Sequence, residues 1–293
     1  MNVPQLIANV LITASCTVLV GLGFSLSYRT ARFFNLAYAF LFMAGSYLVL
    51  LLNSTFGFAF HFSVLLAIVI VGLIGVLLDA FVYRPLRHKN AGALVLLLSS
   101  LGVYVVLQNA VSLIFGDDSI SIGFRTIEQG VNILGARITS IQILIIGLSA
   151  ATVVATAIFV RRTRIGLAIR AVSSSPELSN VSGVQSDRII FWTTFMSSII
   201  VGIAGILVAI DVNMNPTMGM TALMMGVVVV FVGGIASIWG IAFGALFLGM
   251  AQHVGVWVIG SQWQDAIAFV ILLAFLLFRP EGFMGKKIEN AMA

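Results

Sequence analysis

Ionisable side chains that could carry out catalysis or bind a metal are few and scattered in this sequence. The acidic residues within or beside long apolar runs stand near the ends of those runs, which is typical of a membrane interface rather than of an acid catalyst: Asp79, Asp211 and Asp265. The histidines are isolated and show no metal-ligand spacing: His61, His88 and His253. No serine, histidine and acid cluster around a nucleophile. The sequence therefore offers no positive case for an enzyme, a metal site or a bound cofactor.

Motifs for energy coupling are also missing. The Gly285-Lys286 pair continues with Lys287 and lacks the glycine spacing of a phosphate-binding loop. Proton or sodium coupling usually leaves carboxylates in the middle of membrane spans, and these are scarce here. We therefore expect a transporter built on this chain to take its energy from another subunit.

The elements that carry these residues are membrane-spanning helices. The chain has 293 residues, of which 60% are hydrophobic and 9% charged, whereas soluble domains carry about 25% charged residues. Its apolar runs are continuous and do not alternate, which favours helices over barrel strands. We predict an all-α polytopic transmembrane helical bundle that forms a single transmembrane domain over 1–293. Six spans precede a last apolar tract: 5–27, 33–52, 62–82, 93–115, 138–160 and 189–210.

The last apolar tract is rich in glycine and divides into pieces at 218–233, 237–258 and 263–278. The first piece is short for a full crossing, so a half-helix or re-entrant segment is an alternative to a span there. The prediction is thus seven to nine spans.

Basic residues in the connecting loops orient the chain. With the N-terminus outside, thirteen of the fifteen Lys and Arg residues lie in inside loops or the tail, and only Arg125 and Arg137 lie outside. The positive-inside rule then places the C-terminus in the cytoplasm and requires an odd number of crossings. The net charge of +5 is spread over these short loops, which indicates a lipid and not a nucleic-acid partner.

Two loops are long enough to hold structure of their own. The outside loop 116–137 could cap a pore mouth or receive a soluble partner. The inside loop 161–188 begins with a basic amphipathic stretch, and its Ser175-Pro176-Glu177 resembles a helix start that Gly183 would end. A short helix held between two spans at this position is typical of a docking site; a solvated basic loop is the alternative.

Several strings in the chain resemble one family of transporters. The inside loop reads R-T-R-I-G-L-A-I-R-A-V-S-S-S-P-E-L-S-N-V-S-G-V from Arg162, and it is accompanied by Y-R-P-L-R from Tyr83, L-Q-N from Leu107, G-G-I-A-S from Gly233 and F-R-P-E-G-F-M-G from Phe278. Taken in their order along the chain, these strings resemble those of the branched-chain amino-acid family of ABC transporter permeases. Members commonly carry N-F-A-H-G-E in the second span, where this chain has Asn35-Leu36-Ala37-Tyr38-Ala39-Phe40. This departure bears on the substrate.

The resemblance implies a bacterial inner-membrane importer with two permease subunits, usually a heterodimer, two cytoplasmic ATPases that use ATP, and a periplasmic substrate-binding protein. It also implies a coupling helix in the 161–188 loop that sits in a groove on the ATPase. On this chain the implied contact comprises Ser174, Ser175, Pro176, Glu177, Leu178, Ser179, Asn180, Val181, Ser182 and Gly183.

Polar side chains inside apolar spans are candidates for the translocation pathway, because an amide in hydrocarbon must face another helix or water. The candidates are Asn35, Tyr38, Gln108, Asn109 and Asn213. The function expected is a permease subunit of an ABC importer for an amino acid or a related small solute; the alternative is a stand-alone channel or an ion-coupled carrier.

Overall fold

The computed structural model describes residues 3–121, 130–133 and 135–285. Within them twelve α-helices and one hairpin follow in order: α1 Val3–Ala31, α2 Ala37–Leu50, α3 Phe60–Leu78, α4 Arg84–His88, α5 Ala93–Phe115, β1 Val131–Ile133, β2 Ala136–Ile138, α6 Ser140–Arg162, α7 Arg164–Ser174, α8 Pro176–Val181, α9 Ser186–Asp211, α10 Met218–Gly233, α11 Ile238–Ile259 and α12 Gln264–Phe278.

Three short segments extend these helices. A π-helical turn, Leu51–Thr55, continues α2, and another, Asp79–Tyr83, joins α3 to α4, so that one continuous helix runs over Phe60–His88. A 3₁₀ turn, Ser261–Trp263, precedes α12. Eight helices of the described chain are then long and apolar enough to cross a membrane. These eight helices confirm the predicted all-α polytopic class. Helices are the expected form in a membrane because backbone groups in hydrocarbon must find partners within their own helix.

The bundle has two distinct ends, which we name by their features. At the hairpin face, β1 pairs with β2 antiparallel, Gln5 near the start of α1 bonds to the backbone of Arg137, and Ile120 bridges to Met214. At the basic face, the ends of α1 and α6 meet α7 and the α10–α11 connection around a cleft. Consecutive spanning helices therefore run alternately between these two faces.

The short helix α10 passes from one face to the other. It begins just after Met214 at the hairpin face, and Ile235, two residues beyond its end, accepts a 2.7 Å hydrogen bond from Ser25 near the basic end of α1. Sixteen residues span about 24 Å, less than the roughly 30 Å hydrocarbon core. Both of its terminal turns are packed inside the bundle, where α2 and α11 lie against them. Together with the eight long helices, α10 makes nine helices that run between the faces.

Helix α9 is the centre of the packing. It lies against α1, α2 and α3, whereas α5 packs chiefly against α2, and α12 against α10 and α11. Close approach of α2 to α9 depends on glycine, because a Cβ added at Gly45 would lie 2.7 Å from the carbonyl oxygen of Gly202. The core helices thus form one tightly packed unit, with α5 and α12 at its edge.

Candidate functional site

Local capping residues build the segment between α6 and α9. Thr163 follows the last residue of α6 and caps the start of α7. Its hydroxyl accepts a 2.9 Å hydrogen bond from the backbone N–H of Gly166. Ser175 accepts from the N–H of Leu178 at 3.3 Å, and Pro176 is the first residue of α8. These are the side chains expected at helix N-termini, where backbone N–H groups lack intrahelical partners.

The six-residue helix α8 is fixed to the start of α9 by side chains. Asn180 accepts a hydrogen bond from the backbone N–H of Ser186 at 2.9 Å, and the Ser186 hydroxyl donates to the carbonyl of Pro176 at 3.1 Å. Apolar packing holds α7 to α9 nearby through a small buried cluster: Ile169, Val172 and Ile189. The segment is therefore a packed platform and not a solvated loop. We call Arg164–Val181 the α7–α8 platform.

The outer side of α8 presents apolar side chains to solvent. Leu178 is 69% exposed and Val181 is 87% exposed, and a spacing of three residues places them on the same side of a helix. Glu177 is also exposed, while Ser179 is buried on the inner side. Most of the residues between Ser174 and Gly183 thus combine a fixed backbone with an exposed, partly apolar surface.

Polar contacts tie the platform to two other parts of the basic face. The guanidinium of Arg32, just after α1, donates to the carbonyls of Ser173 and Ser174 at 3.1 and 2.7 Å. Asp187, in the first turn of α9, hydrogen-bonds to His88 at 2.9 Å and pairs with Arg84 at 3.4 Å. A cleft of about 1050 Å³ lies between these groups. A displacement of α8 would therefore act on α1, α4 and α9 together.

A buried ion pair stabilises the π-helical turn between α3 and α4. Arg87 donates to both carboxylate oxygens of Asp79, at 2.7 and 3.0 Å, and the two side chains are 15% and 8% exposed. A bidentate pair neutralises the carboxylate at the membrane boundary. Because the pair neutralises this charge, the helix continues to His88, beyond residue 82 at which the predicted span ends.

The pathway candidates in α2 are buried in the core. Asn35 is buried, and its side-chain oxygen accepts a 3.0 Å hydrogen bond from the N–H of Ala37 at the start of α2. Tyr38 is fully buried, and its hydroxyl bonds to that of Ser197 on α9. Both residues have structural partners here, and their part in a pathway stays a prediction.

The other candidates lie elsewhere, so the structure does not gather the five into one cluster. Gln108 is half-buried and Asn109 is exposed on α5, where the Asn109 amide donates to the carbonyl of Val105 at 2.7 Å. Asn213 is half-buried at the hairpin face, between α9 and α10. An exposed amide in a spanning helix is a poor match for lipid, which offers it no hydrogen bonds.

Possible metal ligands do not come together in the part of the chain that the structure describes. No three His, Cys, Asp or Glu side chains there lie together as metal ligands. His253 hydrogen-bonds to Thr13 of α1 at 2.9 Å, the helix-to-helix contact that a span histidine usually makes.

Sequence reasoning missed the contacts of Arg32 and Asp187, because no local pattern joins residues about a hundred positions apart.

Comparison with known proteins decides the family. The model of the family described as "Branched-chain amino acid transport system / permease component" matches residues 6–276. The chain belongs to this family. It is a multi-pass permease of the inner (cytoplasmic) membrane, and the permease of an ABC transporter works with ATPase and substrate-binding partners.

Individual relatives align with this chain over almost their whole length. The chain is 30% identical to the high-affinity branched-chain amino acid transport system permease protein BraD of Pseudomonas aeruginosa, over 96% of this chain and 95% of that protein. It is 28% identical to the corresponding permease LivH of Escherichia coli, with the same coverage. It is 23% identical to the probable permease LivH of Methanocaldococcus jannaschii, over 99% of this chain and 96% of that one.

Proposed function

We propose that this permease imports a branched-chain amino acid or a closely related solute, and that the α7–α8 platform receives the force of ATP hydrolysis from a separate ATPase subunit. The substrate class is carried over from the names of the relatives. The observation that carries the coupling role is the rigid attachment of α8, whose exposed Leu178 and Val181 project from a helix bonded to α9.

The proposed orientation puts the basic face in the cytoplasm and the hairpin face outside. This orientation is supported by the odd number of helices that run between the faces, since Gln5 lies at the hairpin face and Met284 at the basic face. Arginines and lysines of the described chain concentrate at the basic face, as cytoplasmic loops require. The platform then lies where a cytoplasmic ATPase can reach it.

The proposed assembly contains a second permease subunit in a heterodimer, two ATPases and a periplasmic binding protein. The outer surface of α5 is the proposed contact with the second permease and the translocation route. Asn109 is exposed there, and a Cβ at Gly102 would meet no atom within 4 Å. A neighbouring helix or water would supply the partners that lipid cannot provide for the amide.

The proposed division of labour leaves this chain without a cofactor or a catalytic role, with ATP bound by the ATPases. An ion-coupled carrier is less well supported, because the buried carboxylate of Asp79 is already paired with Arg87. Carriers need a carboxylate that can bind and release its ion.

Reconstitution tests the proposal. The chain, its second permease, the ATPases and the binding protein are placed in proteoliposomes, and uptake of labelled leucine is measured. Uptake should require ATP, both ATPases and the binding protein. Uptake driven by a proton or sodium gradient without the ATPases would contradict the proposal and favour the carrier.

A matched pair of variants tests the route. Asn109→Ala should lower leucine uptake by assembled complexes by about tenfold, the cost of losing roughly one polar contact to a permeating or partner group. Val154→Ala removes an exposed apolar side chain of α6, outside the proposed contact on α5, and should leave uptake within about twofold. Equal uptake in the two variants would exclude Asn109 from the route.

A further inference from the structure

A second cleft at the basic face collects four arginines from three elements. It has a volume of about 800 Å³, and the guanidinium-bearing residues that line it come from the end of α1, the end of α6 and the middle of α7: Arg29, Arg32, Arg161 and Arg170. We call it the arginine cleft. It is separate from the cleft at Asp187, although Arg32 contributes to both.

No carboxylate among the described residues balances these four charges. The described carboxylates that form ion pairs are Asp79 and Asp187, and their partners are Arg84, Arg87 and His88. None of the residues lining the arginine cleft is acidic. Arg29 is half-buried, whereas the other three arginines are exposed, so water screens part of their mutual repulsion. An anion bound between them would remove the rest.

The start of a helix at the wall also makes the cleft suited to an anion. Helix α11 begins at its wall, since Ile235, Ser237 and Ile238 line it, and a helix N-terminus carries unsatisfied N–H groups and a partial positive charge. The last turns of α1, α6 and α7 also end at this cleft, and each contributes a partial negative charge. Arg32 covers the last carbonyls of α7, at Ser173 and Ser174, and Arg29 and Arg161 stand in the last turns of α1 and α6. The four full guanidinium charges outweigh these partial charges, so the net charge of the lining is positive.

The position of the cleft selects the kind of anion. Arg29 belongs to the last turn of spanning helix α1, and Tyr28 beside it also lines the cleft, so the site lies at the depth where lipid phosphates meet water. Arginine forks match phosphate oxygens in geometry and charge. The positive-inside rule explains basic residues at this face but not their convergence from separate elements on one cleft without an acid.

We propose that the arginine cleft binds a phosphate group, supplied by an anionic lipid headgroup or by a soluble phosphate compound. The site is distinct from the translocation route on α5 and from the exposed surface of α8. A phosphate there would join the ends of α1 and α6 to the platform through Arg170. Loading of the site would thus stabilise the platform against α1.

Native mass spectrometry of the purified full chain tests the site. The chain is titrated with phosphatidylglycerol, with phosphatidylcholine as a phosphate lipid of no net charge, and with inorganic phosphate. R29Q/R170Q removes two cleft arginines, and R162Q/R164Q removes two exposed arginines of the same loop that do not line the cleft. The two variants lose the same charge, so non-specific attraction to anions falls equally in both.

Binding of phosphatidylglycerol should weaken by about tenfold or more in R29Q/R170Q, because the variant loses hydrogen bonds between guanidinium groups and the phosphate. It should weaken by less than about twofold in R162Q/R164Q, because those exposed charges lie outside the cleft. Competition by inorganic phosphate would assign the site to a soluble phosphate compound; its absence would assign it to lipid. Equal weakening in the two variants, or equal binding of the two lipids to the native chain, would overturn the proposal.

Folding is controlled separately. R29Q/R170Q and R29K/R170K should both elute from a sizing column as the native chain does. R29K/R170K keeps the charges and should retain binding within about threefold, since lysine holds phosphate as a point charge without the fork. The titration is repeated on the assembled importer. Loss of lipid from the cleft there, with the ATPases present, would show that an acidic surface of the ATPase fills it, and would also overturn the proposal.

Discussion

Replacing the exposed apolar residues of α8 should separate this permease from its ATPase without unfolding it. The change is L178A/V181A, which shortens two side chains that are 69% and 87% exposed. Because neither contributes much to the packing of the chain itself, the free energy of unfolding should change by less than about 0.5 kcal/mol for each. Proline at position 178 is a weaker test, since Leu178 lies in the first turn of α8.

The size of the effect follows from the area that an ATPase would cover. Leu→Ala and Val→Ala remove about five methyl or methylene groups in all, each worth roughly 0.8 kcal/mol when buried. If the exposed fractions of both side chains are completely buried against the ATPase, the double substitution lowers the binding free energy by about 3 kcal/mol. This corresponds to a roughly 150-fold weaker complex, since about 1.4 kcal/mol is tenfold.

The assay measures the affinity of the detergent-purified permease pair for its ATPase subunits, together with ATP hydrolysis and leucine uptake in proteoliposomes. Val131→Ala is the matched control, because Val131 is exposed on β1 at the opposite end of the bundle. The control should bind the ATPase normally. A change below about threefold in L178A/V181A would refute the docking role of α8.

Two more predictions concern orientation and the buried ion pair. With Cys16 replaced by alanine, a cysteine at Ser121 should react with an impermeant thiol reagent added to intact cells and a cysteine at Ser174 should not; the reverse labelling would invert the topology. Asp79→Asn should lower stability by about 3–5 kcal/mol because it leaves a buried guanidinium without its counter-ion, whereas Asp187→Asn, at an exposed pair, should cost less than about 1 kcal/mol. Thermal unfolding in detergent compares the two, and similar costs would contradict the assigned burial.

The lengths of the spans could be predicted from sequence because the membrane fixes them. The segments predicted at 93–115 and 218–233 have the same bounds as α5 and α10, since glycine, basic residues or polar runs end the apolar stretches there. The predicted bounds differ most from the observed ones where an ion pair lowers the cost of placing a charge at the membrane boundary. The third span continues past 82 to His88 because Arg87 neutralises Asp79, and hydropathy alone cannot register that pairing.

The sequence also predicted a short helix with Ser175 and Pro176 at its start, and the structure has α8 there. Capping is local, so three adjacent residues are enough to predict it. The contact that ties the platform to the end of α1 could not be predicted, because Arg32 reaches Ser173 across 141 positions of the chain. Such contacts arise only from the packing of the spans.

The way α8 is held determines how it can transmit force. Six residues are too few for an isolated helix to persist in water. Helix α8 is therefore stable because Ser186 of α9 and the adjoining helix α7 hold it. A push on Leu178 or Val181 must then move the start of α9. Helix α9 in turn cannot slide freely past α2, because Gly45 and Gly202 bring their backbones into contact. Motion imposed on α8 therefore passes to α1, α2, α3 and α9 as one packed unit, against α5 and α12, which are joined to the bundle on one side only.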